Sequence, residues 1–153
     1  MHVQDFHTPS LCWMLHTTAC RMLQALGVTN RSLDPQTRER RLLLFWTLSS
    51  IDISLALIFG RPPTFHRAMR DRLPVPETRQ LLSYQPHIDA GSGRTSLFGA
   101  HFMHRLYLVS NIMAEIWSCL YDSPSTHRPI EAVKDSLDVW YQDTSKVSRS
   151  ASS

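Results

Sequence analysis

Apolar residues recur along the chain at helical spacing, and prolines separate the stretches that carry them. Prolines stand at 9, 35, 62, 63, 74, 76, 86, 124 and 129. Proline breaks helix interiors, so the long Pro-free stretches are where helices fit. In the first, Leu11, Leu15, Ala19, Met22 and Leu26 lie three or four apart. This row predicts a helix over 11–26 with these residues as its buried face. Gly27 follows, where a left-handed residue ends a helix well, and Val28 can fold back onto the last turn. The second stretch predicts a helix over 35–59. Asp34 is a good N-cap and Pro35 a good first residue. From Leu42 the stretch is apolar nearly all round, the mark of a central core helix. Gly60 and Pro62-Pro63 stop it.

The third helix is expected over 97–121. Phe98, Phe102, Leu106, Val109, Met113, Ile116 and Leu120 form its stripe, Trp117 and Tyr121 widen it, and Asp122-Ser123-Pro124 closes it. A fourth is expected over 129–141, with Ile130, Val133, Leu137 and Trp140 on one face. Between the second and third lies a connection, 61–96, with little periodicity. Pro74, Pro76 and Pro86 argue against regular helix there, and Gly91-Ser92-Gly93 makes a flexible tip. So long an irregular stretch is expected to be a functional loop, a strap across the helices or a partly disordered insertion. The Ser-rich tail after residue 143 is expected to be disordered. No internal repeat and no alternating strand pattern is present. The expected fold is all-α, an array of about four main helices with one long connection.

Composition narrows the function classes. With 42% apolar and 19% charged residues the chain can bury a core, which excludes bulk disorder. Cys12, Cys20 and Cys119 are too few for a disulfide scaffold or a cysteine-only zinc site. The net charge is +3. Residues 1–41 and 42–79 each hold 5 basic and 3 acidic side chains, and residues 80–153 hold 6 and 7. That bias is too thin for a nucleic-acid footprint and reads as a solvated basic surface. The segment Met1–Pro9 has no signal-peptide pattern, so nothing argues for secretion. Leu42–Phe59 has 13 apolar residues in 18, but Asp52 lies in its middle. A central Asp costs about 2.5–3.5 kcal/mol on insertion into a membrane, so a buried core helix is the better reading.

No motif supplies enzyme chemistry. His101 and His104 are i,i+3 on the third helix, but HExxH is absent and Glu115 is about three turns away, so they read as surface histidines. Cys12 and His16 are i,i+4, with Cys20 continuing the row. A reactive thiolate needs an exposed, electropositive setting, and these read as small buried thiols. Gly91 to Thr95 lacks phosphate-loop spacing. The expectation is no catalytic residue, no cofactor and no metal ligand. Asp52 is the ionisable residue that needs an account. Buried, it requires a partner, and Arg61 or an arginine of 61–79 is the expected one.

One stretch carries a resemblance. Arg40-Arg41, Phe45-Trp46, Asp52 and Gly60-Arg61-Pro62 stand in the order seen in the fungal transcription-factor regulatory domain. This is the middle homology region of fungal binuclear zinc-cluster activators of the xylanolytic-activator type. Leu73-Pro74-Val75-Pro76 matches the Pro-x-Pro that follows in the family, Leu26-Gly27-Val28 the helix end that precedes it, Leu120-Tyr121 the end of the long helix and Leu137…Trp140 the last helix. The resemblance covers residues 11–142, flanked by an N-terminal segment, 1–10, and the tail, 143–153. Ile53 stands where the family has Arg, and Arg70 and Arg72 erode an acidic stretch around Asp71.

The resemblance implies a regulatory domain of a fungal transcription regulator acting in the nucleus. Arg40, Arg41, Phe45, Trp46, Asp52, Gly60, Arg61, Pro62 and Pro76 are then structural or regulatory signature residues. Zinc and DNA binding belong, in the family, to a six-cysteine cluster that this chain does not contain. DNA is therefore a partner of the family and not one expected of this chain. Protein partners and a small-molecule effector are the classes left, and a membrane is not among them. The rival readings are a stand-alone helical interaction module, a truncated fragment, and a small-ligand binder built on Asp52 and the connection.

Overall fold

Asp34 and Pro35 start the central helix as their chemistry requires. In the computed structural model, Asp34 accepts a hydrogen bond from the Thr37 N–H at 2.9 Å, and Pro35 is the first helical residue. Gly60 ends this helix in the left-handed region, φ 60°, and its N–H bonds back to the Ala56 carbonyl. An L side chain there would be strained, so glycine fits. Gly27 serves the same purpose at the preceding turn, with φ 74°.

The structure describes residues 7–30, 32–83, 94–122 and 128–150. They form α1 (His7–Ala25), α2 (Pro35–Phe59), α3 (Arg67–Arg72), α4 (Thr78–Ser83), α5 (Arg94–Tyr121) and α6 (Ile130–Ser150). No strand occurs among them, and the fold is all-α. The chain divides into two compact units, 1–74 and 75–153.

In the first unit α1 and α2 pack as an antiparallel hairpin, with the start of α1 beside the end of α2. Its core holds Cys20, Leu23, Val28, Leu43, Phe45, Trp46, Ile53, Ala56 and Phe65. Phe45 meets Trp46 edge-on at 5.6 Å between centroids and Phe65 at 4.9 Å. Each buried ring is worth about 1.5–3 kcal/mol of transfer free energy. Three hydroxyls of α2 are satisfied within the helix. Thr47, Ser50 and Ser54 each donate to the carbonyl four residues back, at 2.8–2.9 Å. By length and composition alone α2 would cross a membrane. Here it buries Leu43, Phe45, Trp46, Asp52 and Ile53 against its own unit.

In the second unit α4 and α6 both pack on α5. Ala100, Tyr107, Ile112 and Val133 form its apolar core. The Trp140 indole N–H donates to the Arg105 carbonyl at 3.0 Å, fixing α6 along α5. Arg128 Nη1 donates to both carboxylate oxygens of Glu115 at 3.0–3.1 Å, and its Nη2 donates to the Ala132 carbonyl at 3.4 Å.

Several expectations change. The row Leu11, Leu15, Met22 and Leu26 on α1 faces solvent, with Leu15 63% exposed. The face turned inward carries His16, Cys20 and Leu23. On α5, Phe98, Phe102 and Leu120 are exposed and the middle of the expected stripe is half-buried, while Ala100, Tyr107, Ser110, Ile112 and Ser118 are buried. The connection is not irregular throughout, because α3 and α4 form within it. Its prolines bound these helices instead of preventing them. The His66 ring nitrogen accepts from the Ala68 N–H to cap α3, and Gln80 closes onto the Glu77 N–H at α4. The tail is helical to Ser150. Its hydroxyl residues bond inward, Thr144 to the Trp140 carbonyl and Ser145 to that of Gln142. The Gly91–Gly93 tip and the Ser123-Pro124 stop lie outside the described residues.

Candidate functional site

A carboxylate in the middle of an apolar helix costs several kcal/mol unless partners surround it. Asp52, 3% exposed, is surrounded. One oxygen, Oδ2, accepts the Phe65 backbone N–H at 2.9 Å, which pins the chain after Gly60-Arg61-Pro62-Pro63 to the side of α2. The other, Oδ1, lies 3.6 Å from Nε2 of His16 on α1. The same Nε2 is 3.2 Å from the Cys20 sulfur, one helical turn along. Arg70 of α3 is buried and sits near the face of Trp46, 5.9 Å from the ring centroid. Burial pulls the Arg70 guanidinium down to about 10, while the nearby Asp52 and Asp71 charges oppose that fall. Asp52 therefore gathers α1, α3 and the segment between α2 and α3 onto one point of α2.

The other signature residues serve the same assembly. The Trp46 indole N–H donates to the Pro74 carbonyl at 2.8 Å. Arg41 donates to the Leu26 carbonyl at the end of α1. Arg61 stacks over the Trp13 ring, 4.5 Å from its centroid, and so binds the end of α2 to the start of α1. Gln24 reaches the Thr64 carbonyl at 3.4 Å. Phe45 is core, Gly60 is the helix stop, and Arg40 and Pro62 are exposed. In the second unit Pro76 is buried, and its carbonyl accepts from the His104 Nδ1–H at 2.8 Å.

Asp52 thus has a partner from the connection, as expected, in Phe65 and in the Arg70 charge. Arg61 goes to Trp13 instead. His16 is the partner that sequence reasoning did not foresee, because it lies on another helix. The signal available was the i,i+4 spacing of His16 and Cys20. Cys12, on the other side of His16 in the same row and expected to be buried, is exposed. His101 and His104 belong to no group of three ligating side chains among the described residues.

Two chemistries could use a thiol, an imidazole and a carboxylate. A nucleophilic triad needs the thiol and the carboxylate on opposite ring nitrogens, so that one proton moves along a relay. Here both converge on Nε2. Burial, and then the Asp52 charge, push the Cys20 thiol up to about 12, so it stays protonated and unreactive. The second chemistry is metal ligation, for which His16, Cys20 and Asp52 offer one atom each, all within 4.8 Å of one another. A six-cysteine cluster does not fit a chain with three cysteines.

The model of the fungal specific transcription factor domain matches residues 3–142. A transcriptional regulator of Claviceps purpurea (strain 20.1) is 39% identical over 150 residues, which cover 98% of this chain and 24% of that protein. The chain therefore spans about a quarter of the relative's length. No solved structure matches it.

Proposed function

Because this chain belongs to the fungal specific transcription factor domain family, we propose that it regulates transcription through protein contacts, without reading DNA itself and without catalysis. The observation that carries this reading is what the exposed surface offers. Leu11, Met14, Leu15, Met22 and Leu26 present large apolar side chains on α1. Leu97, Phe98 and Phe102 do so at the start of α5, and Leu120 and Tyr121 at its end. Exposed apolar faces of this kind suit protein partners. Two of the three signature arginines speak against DNA reading, since Arg41 and Arg61 are engaged with Leu26 and Trp13, while Arg40 is exposed. The nucleus is the compartment that this role requires.

The test is to fuse the chain to an unrelated DNA-binding domain in a fungal nucleus, upstream of a reporter. Transcription should rise or fall at least severalfold relative to the DNA-binding domain alone. An unchanged reporter, with the fusion present in the nucleus, would sink the reading. The purified chain should hold duplex DNA only weakly. Binding that survives about 200 mM salt, where phosphate contacts alone have lost orders of magnitude, would overturn the absence of DNA reading.

A further inference from the structure

We infer that His16, Cys20 and Asp52 form a zinc site that clasps α1 to α2, distinct from any cysteine cluster. The three ligating atoms are within 4.8 Å of one another, with Nε2 3.2 Å from the sulfur and 3.6 Å from Oδ1. Tetrahedral zinc with Zn–S near 2.3 Å and Zn–N and Zn–O near 2.0–2.1 Å sets neighbouring ligand atoms about 3.4–3.6 Å apart. The two distances centred on His16 lie within about 0.4 Å of that spacing, and side-chain shifts that draw the sulfur and the carboxylate oxygen together, now within 4.8 Å, complete it without a change of fold. Thiolate, imidazole and carboxylate together are a donor set that suits zinc.

Hydrogen bonding alone leaves the cluster poorly satisfied. Nε2 can carry one proton or none. Protonated, it has the Cys20 sulfur, a weak acceptor, at 3.2 Å and Asp52 Oδ1 at 3.6 Å, beyond a good N–H···O bond. Unprotonated, its one lone pair accepts from the Cys20 thiol, and nothing on the ring then donates to the Oδ1 beside it. A zinc ion takes all three atoms at once. The ligands are already held in place. His16 and Cys20 share one face of α1, one turn apart, and Asp52 is fixed through its other oxygen by the Phe65 N–H.

Binding displaces the thiol proton, which passes to solvent, and the thiolate and carboxylate balance the dication. With Asp52 on the metal, Asp71 is the acidic neighbour that stays with the Arg70 charge. A water takes the fourth position. Zinc then contributes directly to the stability of the first unit, because the site does not exist in the unfolded chain.

The deciding experiment adds Co2+ to the purified, reduced 153-residue chain. One equivalent should give a thiolate-to-cobalt charge-transfer band and the visible bands of a tetrahedral ion, and Zn2+ should displace both. Cys20→Ser should abolish the charge-transfer band, while the double variant Cys12→Ser, Cys119→Ser should retain it. His16→Gln and Asp52→Asn should each weaken binding more than the roughly 10–100-fold lost with a mere hydrogen bond to a ligand. Should Cys20→Ser fail to fold, X-ray absorption on the unsubstituted zinc-loaded chain decides. It should show one sulfur near 2.3 Å and the remaining ligands nitrogen or oxygen. No band at ten equivalents of Co2+, a band that survives Cys20→Ser or vanishes in the double variant, or a zinc shell with no sulfur would each overturn the site.

Discussion

Each unit uses a carboxylate to tie one segment to another, and the two ties are set in different media. In the first, Asp52 is 3% exposed and holds the Phe65 N–H, with His16 and Arg70 near it. In the second, both carboxylate oxygens of Glu115 accept from one Arg128 nitrogen, Nη1, in a bridge open to water. The geometry of the second is the better by ion-pair standards, yet it is the weaker tie. Solvent screens its attraction and offers each charge an alternative partner. Asp52 has no such alternative. What its partners supply is set by what their loss would leave buried, and so the medium matters more than the bond lengths.

The largest expected effect comes from removing the buried tie. Asp52→Ala leaves the Phe65 N–H and the Arg70 charge without their counterpart, at a cost of about 3–5 kcal/mol in urea unfolding. Asp52→Asn keeps an acceptor for the Phe65 N–H and should cost clearly less. Equal losses for the two variants would mean that the charge, which both remove, and not the acceptor or the packing, is what Asp52 provides. A middle effect tests Trp46. Trp46→Phe keeps most of the ring in the core and removes the donor to the Pro74 carbonyl, for about 1–2 kcal/mol. The exposed tie should give least, with Glu115→Gln losing about 0.2–1 kcal/mol at low salt and less at high salt. A Glu115→Gln loss as large as that of Asp52→Ala would break the comparison.

The same contrast separates what was legible in the sequence from what was not. The bounds of α2 follow from Asp34, Pro35 and Gly60, because caps act within one turn. The all-α class follows from the helical spacing. The inward face of α1 does not. Leu11, Leu15, Met22 and Leu26 make the more apolar row, but α2 presents Asp52 to its neighbour, and His16 with Cys20 answers it. Periodicity finds a row of residues; which row is covered depends on a side chain 36 positions away. The short helices α3 and α4 escaped notice for a related reason. Six residues carry too little periodicity to read, and the residues at their caps, His66 before α3 and Glu77 before α4, are not the common cap residues, although Gln80 is a usual capping-box partner. Of the Asp52 cluster, the carboxylate's need for a partner and the Arg70 region were readable. His16 was not, since it is joined to Asp52 only by the packing of α1 on α2.

The smallest effect belongs to the other aspartate of α2. Asp34 stands in water, and its carboxylate is held below the ordinary aspartate range by the Thr37 backbone N–H first and by the Thr37 hydroxyl next. The folded chain then binds this proton less readily than the unfolded chain does. The carboxylate therefore contributes stability above the unfolded value, and that contribution is lost as pH falls through the folded one. Asp34→Ser preserves an oxygen for the Thr37 N–H and removes the charge. The gap in thermal midpoint between the wild type and Asp34→Ser should be present at pH 7 and close in acid below the ordinary aspartate value of 3.8. Added salt should narrow it at neutral pH, because the helix dipole acts on an exposed charge through solvent. A gap that is constant with pH would assign the cap to geometry alone. Asp34 would then resemble any hydroxyl cap, and its charge would count only as a point on the surface, unlike that of Asp52.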